Sequence, residues 1–117
     1  MIHLRPFFID TEYGRYRISY HYNCINDGIS QIFLTFPHKG DGPDKAKYGY
    51  IVIESTVDSG VIFSIYSTSF KEGFMPFPCK DLLHLYMKIA DSDILVSAEA
   101  ISILIKEAAK HKLKIKQ

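Results

Sequence analysis

The chain has 117 residues, a mass of 13.4 kDa and a formal net charge of +1, with a hydrophobic share of 47%, eight Tyr, eight Phe and no Trp. That length fits one domain spanning residues 1–117 and leaves no room for a second; the aromatic content offers enough burial for a core without disulfide staples. A nearly neutral body with a basic tail is weak evidence for nucleic-acid binding, since a dedicated binder usually spreads basic residues over a whole face, and no apolar run approaches the ~20 residues that span a bilayer.

Charge is uneven along the chain. Residues 106–117 carry five lysines against Glu107, a sum of +4, so the first 105 residues sum to −3. The opening Met1–Asp10 shows neither a basic stretch followed by an apolar run nor a small-residue cleavage site, which is not the pattern of a signal peptide. Cys24 and Cys79 stand 55 positions apart, without the regular spacing of a disulfide framework. A cytoplasmic chain with reduced thiols is expected, a single Cys24–Cys79 bridge being the alternative.

Leu4–Ile9 reads as a short strand, and Pro6, which lacks an amide donor, places it at a sheet edge. Thr11-Glu12-Tyr13-Gly14 turns the chain. In Tyr16–Asn23 the even positions are aromatic or apolar and the odd ones are Arg17, Ser19, His21 and Asn23, the period-two pattern of a strand with one buried face. Asn26-Asp27-Gly28 is a turn signal, and Ile32, Leu34 and Phe36 continue the alternation, so a hairpin over about 16–36 is expected. His38–Lys47 is rich in Gly, Pro and charge and has no periodicity. Tyr48–Val57 and Val61–Phe70 resume as paired strands about Asp58-Ser59-Gly60. Short connections between sequential strands predict an antiparallel meander.

Beyond Pro78 the period changes. Leu82, Leu85, Tyr86 and Ile89 fall on one face of a helix over about 79–90, and Ser97 is a good N-cap for a second helix with stripe Ile101, Leu104, Ile105 and Ala108. Leu113 and Ile115 alternate with lysines, which makes Lys112–Lys116 the candidate for a sixth, edge strand. The expected class is therefore α+β: a five- to six-stranded antiparallel meander followed by two C-terminal helices packed on one face.

Chemical motifs are sparse. The five histidines, His3, His21, His38, His84 and His111, never reach a metal-ligand spacing, there is no C-x-x-C, and no cofactor signature appears. Cys79, placed at an expected helix N-terminus that favours thiolate, lacks an identifiable base and reads as structural. A sheet face carrying Arg17, Ser19 and His21 could serve acid–base chemistry, giving a small hydrolase or nuclease built on His21 as an alternative reading. An RNA-binding module using sheet aromatics and the lysine tail is a third, and nucleic acid is disfavoured because edge strands carry lysines for other reasons. The leading expectation is a small partner-binding protein, an inhibitor, immunity-type antidote or adaptor, with no cofactor and no catalytic residue. Tyr is enriched where proteins meet proteins, and a ten-residue charged connection exceeds what a hairpin needs. The expected contact residues are Arg17, His21, His38, Lys39, Asp41, Asp44, Lys45 and Lys47; the partner is another protein, a homodimer being one form it could take.

Overall fold

A row of apolar side chains crosses the whole sheet: Phe7, Ile18, Leu34, Ile51, Ile65 and Phe77 lie side by side in register on six consecutive strands. A computed structural model gives this arrangement and describes residues 4–23, 28–37, 48–56, 60–92, 94–113 and 115. The strands are β1 (Phe7–Thr11), β2 (Gly14–Asn23), β3 (Gly28–Thr35), β4 (Gly49–Thr56), β5 (Gly60–Ser67) and β6 (Phe77–Cys79), paired antiparallel in sequence order. A second row, Tyr20, Ile32, Ile53, Phe63 and Cys79, runs parallel to the first. Because successive side chains alternate in direction, both rows share one face, and that face is the core.

Two helices, α1 (Leu82–Asp91) and α2 (Ala98–Lys110), cover it. Leu85 and Ile89 of α1 are buried there, as are Ala100, Ile101, Leu104 and Ala108 of α2. This is the expected α+β meander with helices on one side. Asp81 caps α1 by accepting the His84 amide at 2.8 Å, and Ser97 caps α2 by accepting the Ala100 amide at 3.2 Å.

The position of α2 is fixed by two tyrosines of β2. The fully buried Tyr16 hydroxyl accepts the Ser97 amide at 2.9 Å, and the Tyr20 hydroxyl donates to Glu107 Oε1 at 2.7 Å. Four residues of strand span about 13 Å and ten of helix about 15 Å, so the two bonds pin α2 near both ends along β2. Burial, then the bond to Glu107, pushes the Tyr20 hydroxyl up. Desolvation would raise the Glu107 carboxyl, but bonds from Tyr20 and Lys110 outweigh it and hold it below its ordinary value.

The structure departs from the sequence expectation at several places. The first strand is Phe7–Thr11 and not Leu4–Ile9, so Pro6 lies just outside it. The first helix begins at Leu82 and not near 79, because Asp81 supplies the cap and Cys79 ends a strand. The sixth strand is Phe77–Cys79, opposite Phe63–Ile65; Pro78 is tolerated because β6 is an edge. The described part of Lys112–Lys116 forms no strand. Instead Lys112, at φ 66°, ends α2, its amide bonding to Ala109 O at 3.1 Å and the Leu113 amide to Ala108 O at 2.9 Å. That pair of bonds is a Schellman cap, and it turns Leu113 into the core. The turns at 24–27 and 57–59 lie outside the described residues.

Two stability changes follow. Tyr16→Phe keeps the ring but strands the buried Ser97 amide, so denaturant unfolding should show a loss of about 1–3 kcal/mol. Lys112→Gly removes the side-chain cost of the left-handed conformation, and the same measurement should show a gain of about 1 kcal/mol.

Candidate functional site

Among the described residues no helix lies on the other face of the sheet, and its residues are the opposite parity of each strand. In register they form one row of Phe8, Arg17, Thr35, Tyr50 and Tyr66, a second of Ser19, Phe33, Val52, Ser64 and Pro78, and a third of His21, Gln31, Glu54 and Ile62. An open antiparallel face is ordinarily polar. Here its β3–β5 portion is aromatic.

Five rings converge on that portion. Tyr50 stacks on Tyr66 with centroids 4.5 Å apart and meets Phe33 edge-on at 5.6 Å. Tyr48 lies 6.1 Å from Tyr50, and Phe74 approaches Tyr48, Tyr50 and Tyr66 at 5.7, 5.9 and 5.7 Å. Val52 and Ser64 are buried although they point to the open side, so the outward face carries a second, smaller apolar packing of its own. The cluster is not sealed: Tyr48 is 41% and Phe74 45% exposed, and Met75 next to Phe74 is exposed too. Burial, and then the neighbouring Tyr66 and Tyr48, push the Tyr50 hydroxyl above its ordinary value.

Local backbone bonds place the two outermost rings. The Tyr48 amide bonds to Thr68 Oγ1 and the Thr68 amide to Tyr48 O, both at 2.9 Å, which fixes Tyr48 beside the end of β5. The segment after β5 folds back through Gly73, whose φ of 96° suits glycine, with Gly73 N bonded to Phe70 O and Met75 N to Gly73 O. Phe70 anchors that segment in the core, and Lys88 of α1 holds it from below. Its ammonium lies 4.5 Å from the Phe70 ring centroid, 4.4 Å from that of Phe77, and 3.2 Å from Glu72.

Arg17 and His21 are both exposed on this face, but the structure separates them. Arg17 shares a row with Tyr50, one strand removed through Thr35. His21 lies at the opposite end, across from Gln31, whose amide donates to Glu54 at 2.9 Å. Among the described residues no carboxylate bonds to the His21 ring, so the orienting partner of an acid–base pair is not supplied there. His38, Lys39, Asp41, Asp44, Lys45 and Lys47 lie outside the described residues. Among those that are described, no three His, Cys, Asp or Glu side chains converge as metal ligands. Phe33 and Phe74 were not singled out by sequence; Phe33 had a signal, being aromatic at an outward parity, whereas Phe74 joins through the backbone reversal alone.

Cys79 is buried at the end of β6, and burial, then the nearby Asp81, pushes its thiol up to about 12. It is a core thiol here, against its suggested place at a helix N-terminus. No family model, curated protein or solved structure matches this chain.

In native protein at pH 8, Cys79 should therefore resist a thiol reagent and become modified only after denaturation. Peptide mass mapping checks this; rapid native labelling at Cys79 would contradict the buried position.

Proposed function

We propose that this chain is a small cytoplasmic partner-binding protein of the inhibitor or adaptor kind, and that the aromatic portion of its open sheet face is the contact surface. The observation that carries this reading is the cluster of Phe33, Tyr48, Tyr50, Tyr66 and Phe74 on the side without helices. Exposed apolar clusters of this kind mark interaction sites on soluble domains. Tyr supplies large contact area with few torsions to freeze, and rings already packed against one another have little conformational freedom left to lose on binding. Arg17, exposed in the same row and without an ion pair among the described residues, adds a cationic rim residue of the type interfaces favour.

A protein partner fits this surface better than single-stranded RNA. Recognition of RNA on a sheet requires ring faces free for bases to stack upon. The Tyr50 and Tyr66 faces are engaged by each other, and Phe74 lies against both. What the cluster offers outward is edges, hydroxyls and the exposed Phe74–Met75 corner, which suit a complementary protein surface.

The test is affinity capture of the partner from the native cell, its identification, and titration of the purified pair. Tyr50→Ala or Phe74→Ala should weaken binding by about 2 kcal/mol or more, the size of an interface anchor, while His21→Ala has a small effect. Equal affinity for wild type and a folded Tyr50→Ala variant would overturn the placement of the surface.

A further inference from the structure

The two helices treat solvent differently. α2 presents Glu99, Ser102, Lys106 and Lys110, all exposed, as a surface helix ordinarily does. α1 presents Leu83, Met87 and Ala90, spaced i, i+4, i+7, with Leu83 68% and Met87 60% exposed. Its solvent face is thus an apolar stripe with no charge along its middle, although its inner face is already satisfied by Leu85 and Ile89 in the core. An exposed stripe of that kind marks an unmet contact.

The charges at the ends of α1 indicate what meets it. Lys80 stands just before the N-cap Asp81, whose carboxylate accepts the His84 amide, and Asp91 is the last helical residue; Lys88 of the last turn is drawn away to Glu72 and to the Phe70 and Phe77 rings. A helix carries partial positive charge at its N-terminus and negative charge at its C-terminus. Lys80 and Asp91 each sit at the pole of their own helix that repels them, and neither forms an ion pair among the described residues. The same two charges are complementary to a copy of α1 running the other way.

We infer that α1 is the contact surface of a homodimer, in which a second copy's α1 lies antiparallel across the first about a twofold axis. With the axis level with Leu85, Leu83 of each copy faces Met87 of the other. Lys80 of each then reaches the C-terminal end of the opposite helix, where Asp91 stands. The contact is isologous: one patch serves both copies. A ten-residue helix is about 15 Å long, so the pair buries less than the roughly 800 Å² per side of a standard interface, and association depends on concentration. The helices lie on the face of the sheet opposite the aromatic cluster, so the dimer leaves both open faces accessible. This inference stands independently of the function proposed for that cluster.

Sedimentation equilibrium at low salt over a wide range of protein concentration tests it. The wild-type average mass should rise from 13.4 kDa towards twice that value. Met87→Glu, at an exposed site that leaves the fold intact, should remain at the single-chain mass. Lys80→Glu should weaken association at least tenfold, and Lys80→Glu combined with Asp91→Lys should restore it. A wild type that stays at the single-chain mass throughout overturns the dimer, as does Met87→Glu assembling like wild type. Failure of the double reversal to restore association overturns the antiparallel arrangement.

Discussion

Everything in this molecule is arranged around the two hydroxyl contacts that hold α2 against β2. A helix lying on a sheet through aliphatic contacts alone can slide, because Ile and Leu pack acceptably in more than one register. The Tyr16 bond to the Ser97 amide and the Tyr20 bond to Glu107 remove that freedom. Tyr16 acts at a position that also caps the helix through the Ser97 side chain, so the start of α2, its axis and its depth are set together. A buried amide left without its acceptor costs more than the bond itself is worth in water. The contact therefore selects one arrangement more than it adds stability.

Once α2 is fixed over β1–β3 and α1 over the β6 end, the helix layer lies wholly on one side of the sheet. Six strands bury two apolar rows beneath it. Among the described residues no second layer covers the reverse face, and its side chains pack and pair with one another. At the β1–β2 side it does so with charge: Arg15 pairs with Asp10 at 2.7 Å, and Arg17 and His21 are solvated. At the β3–β5 side it does so with rings that pack on one another, and Val52 and Ser64 on that side are buried. The open face is thus divided by the same meander: its β1–β2 side carries charge, with Arg15 over the exposed Phe8 ring, and its β3–β5 side carries the ring cluster.

Much of this was legible in the residues and some of it was not, for physical reasons. Tyr16–Asn23 reads as a strand because its neighbours on each side differ so sharply in polarity, and the change of period after Pro78 announces the helices. Ser97 was recognisable as a cap because the side chain that caps is also the one that disfavours a helix interior. Phe77–Cys79 was not recognisable as a strand: three residues are too few to show a period, and a central proline argues against pairing unless the strand is known to be an edge. Leu113 and Ile115 alternate like a strand, yet Leu113 is buried by a helix cap, since a two-residue alternation is also what a chain shows when it turns over a helix end. For the candidate site, Arg17, Tyr50 and Tyr66 could be assigned to faces by parity. Phe74 could not, because its place depends on a backbone reversal at Gly73 and on Phe70 anchoring the segment in the core.

The helix layer and the aromatic face are physically joined, and the junctions bear on how a contact at one would be felt at the other. Lys88 projects from α1 between Phe70 and Phe77 and reaches Glu72. Its ammonium is mostly withdrawn from solvent, so the surrounding rings and carboxylate hold it in one place and it holds them in turn. Phe70 begins the segment that carries Phe74 to Tyr48, Tyr50 and Tyr66. A rigid-body shift of α1 would therefore move the anchor of Phe74, whereas a shift of α2 would act on Tyr16, whose ring meets Phe36 edge-on at 6.2 Å, and the Phe36 amide bonds to Gly49 O between Tyr48 and Tyr50. Each helix is thus connected, through described contacts, to the surface proposed for the partner: α1 through Lys88 and Phe70, α2 through Tyr16 and Phe36.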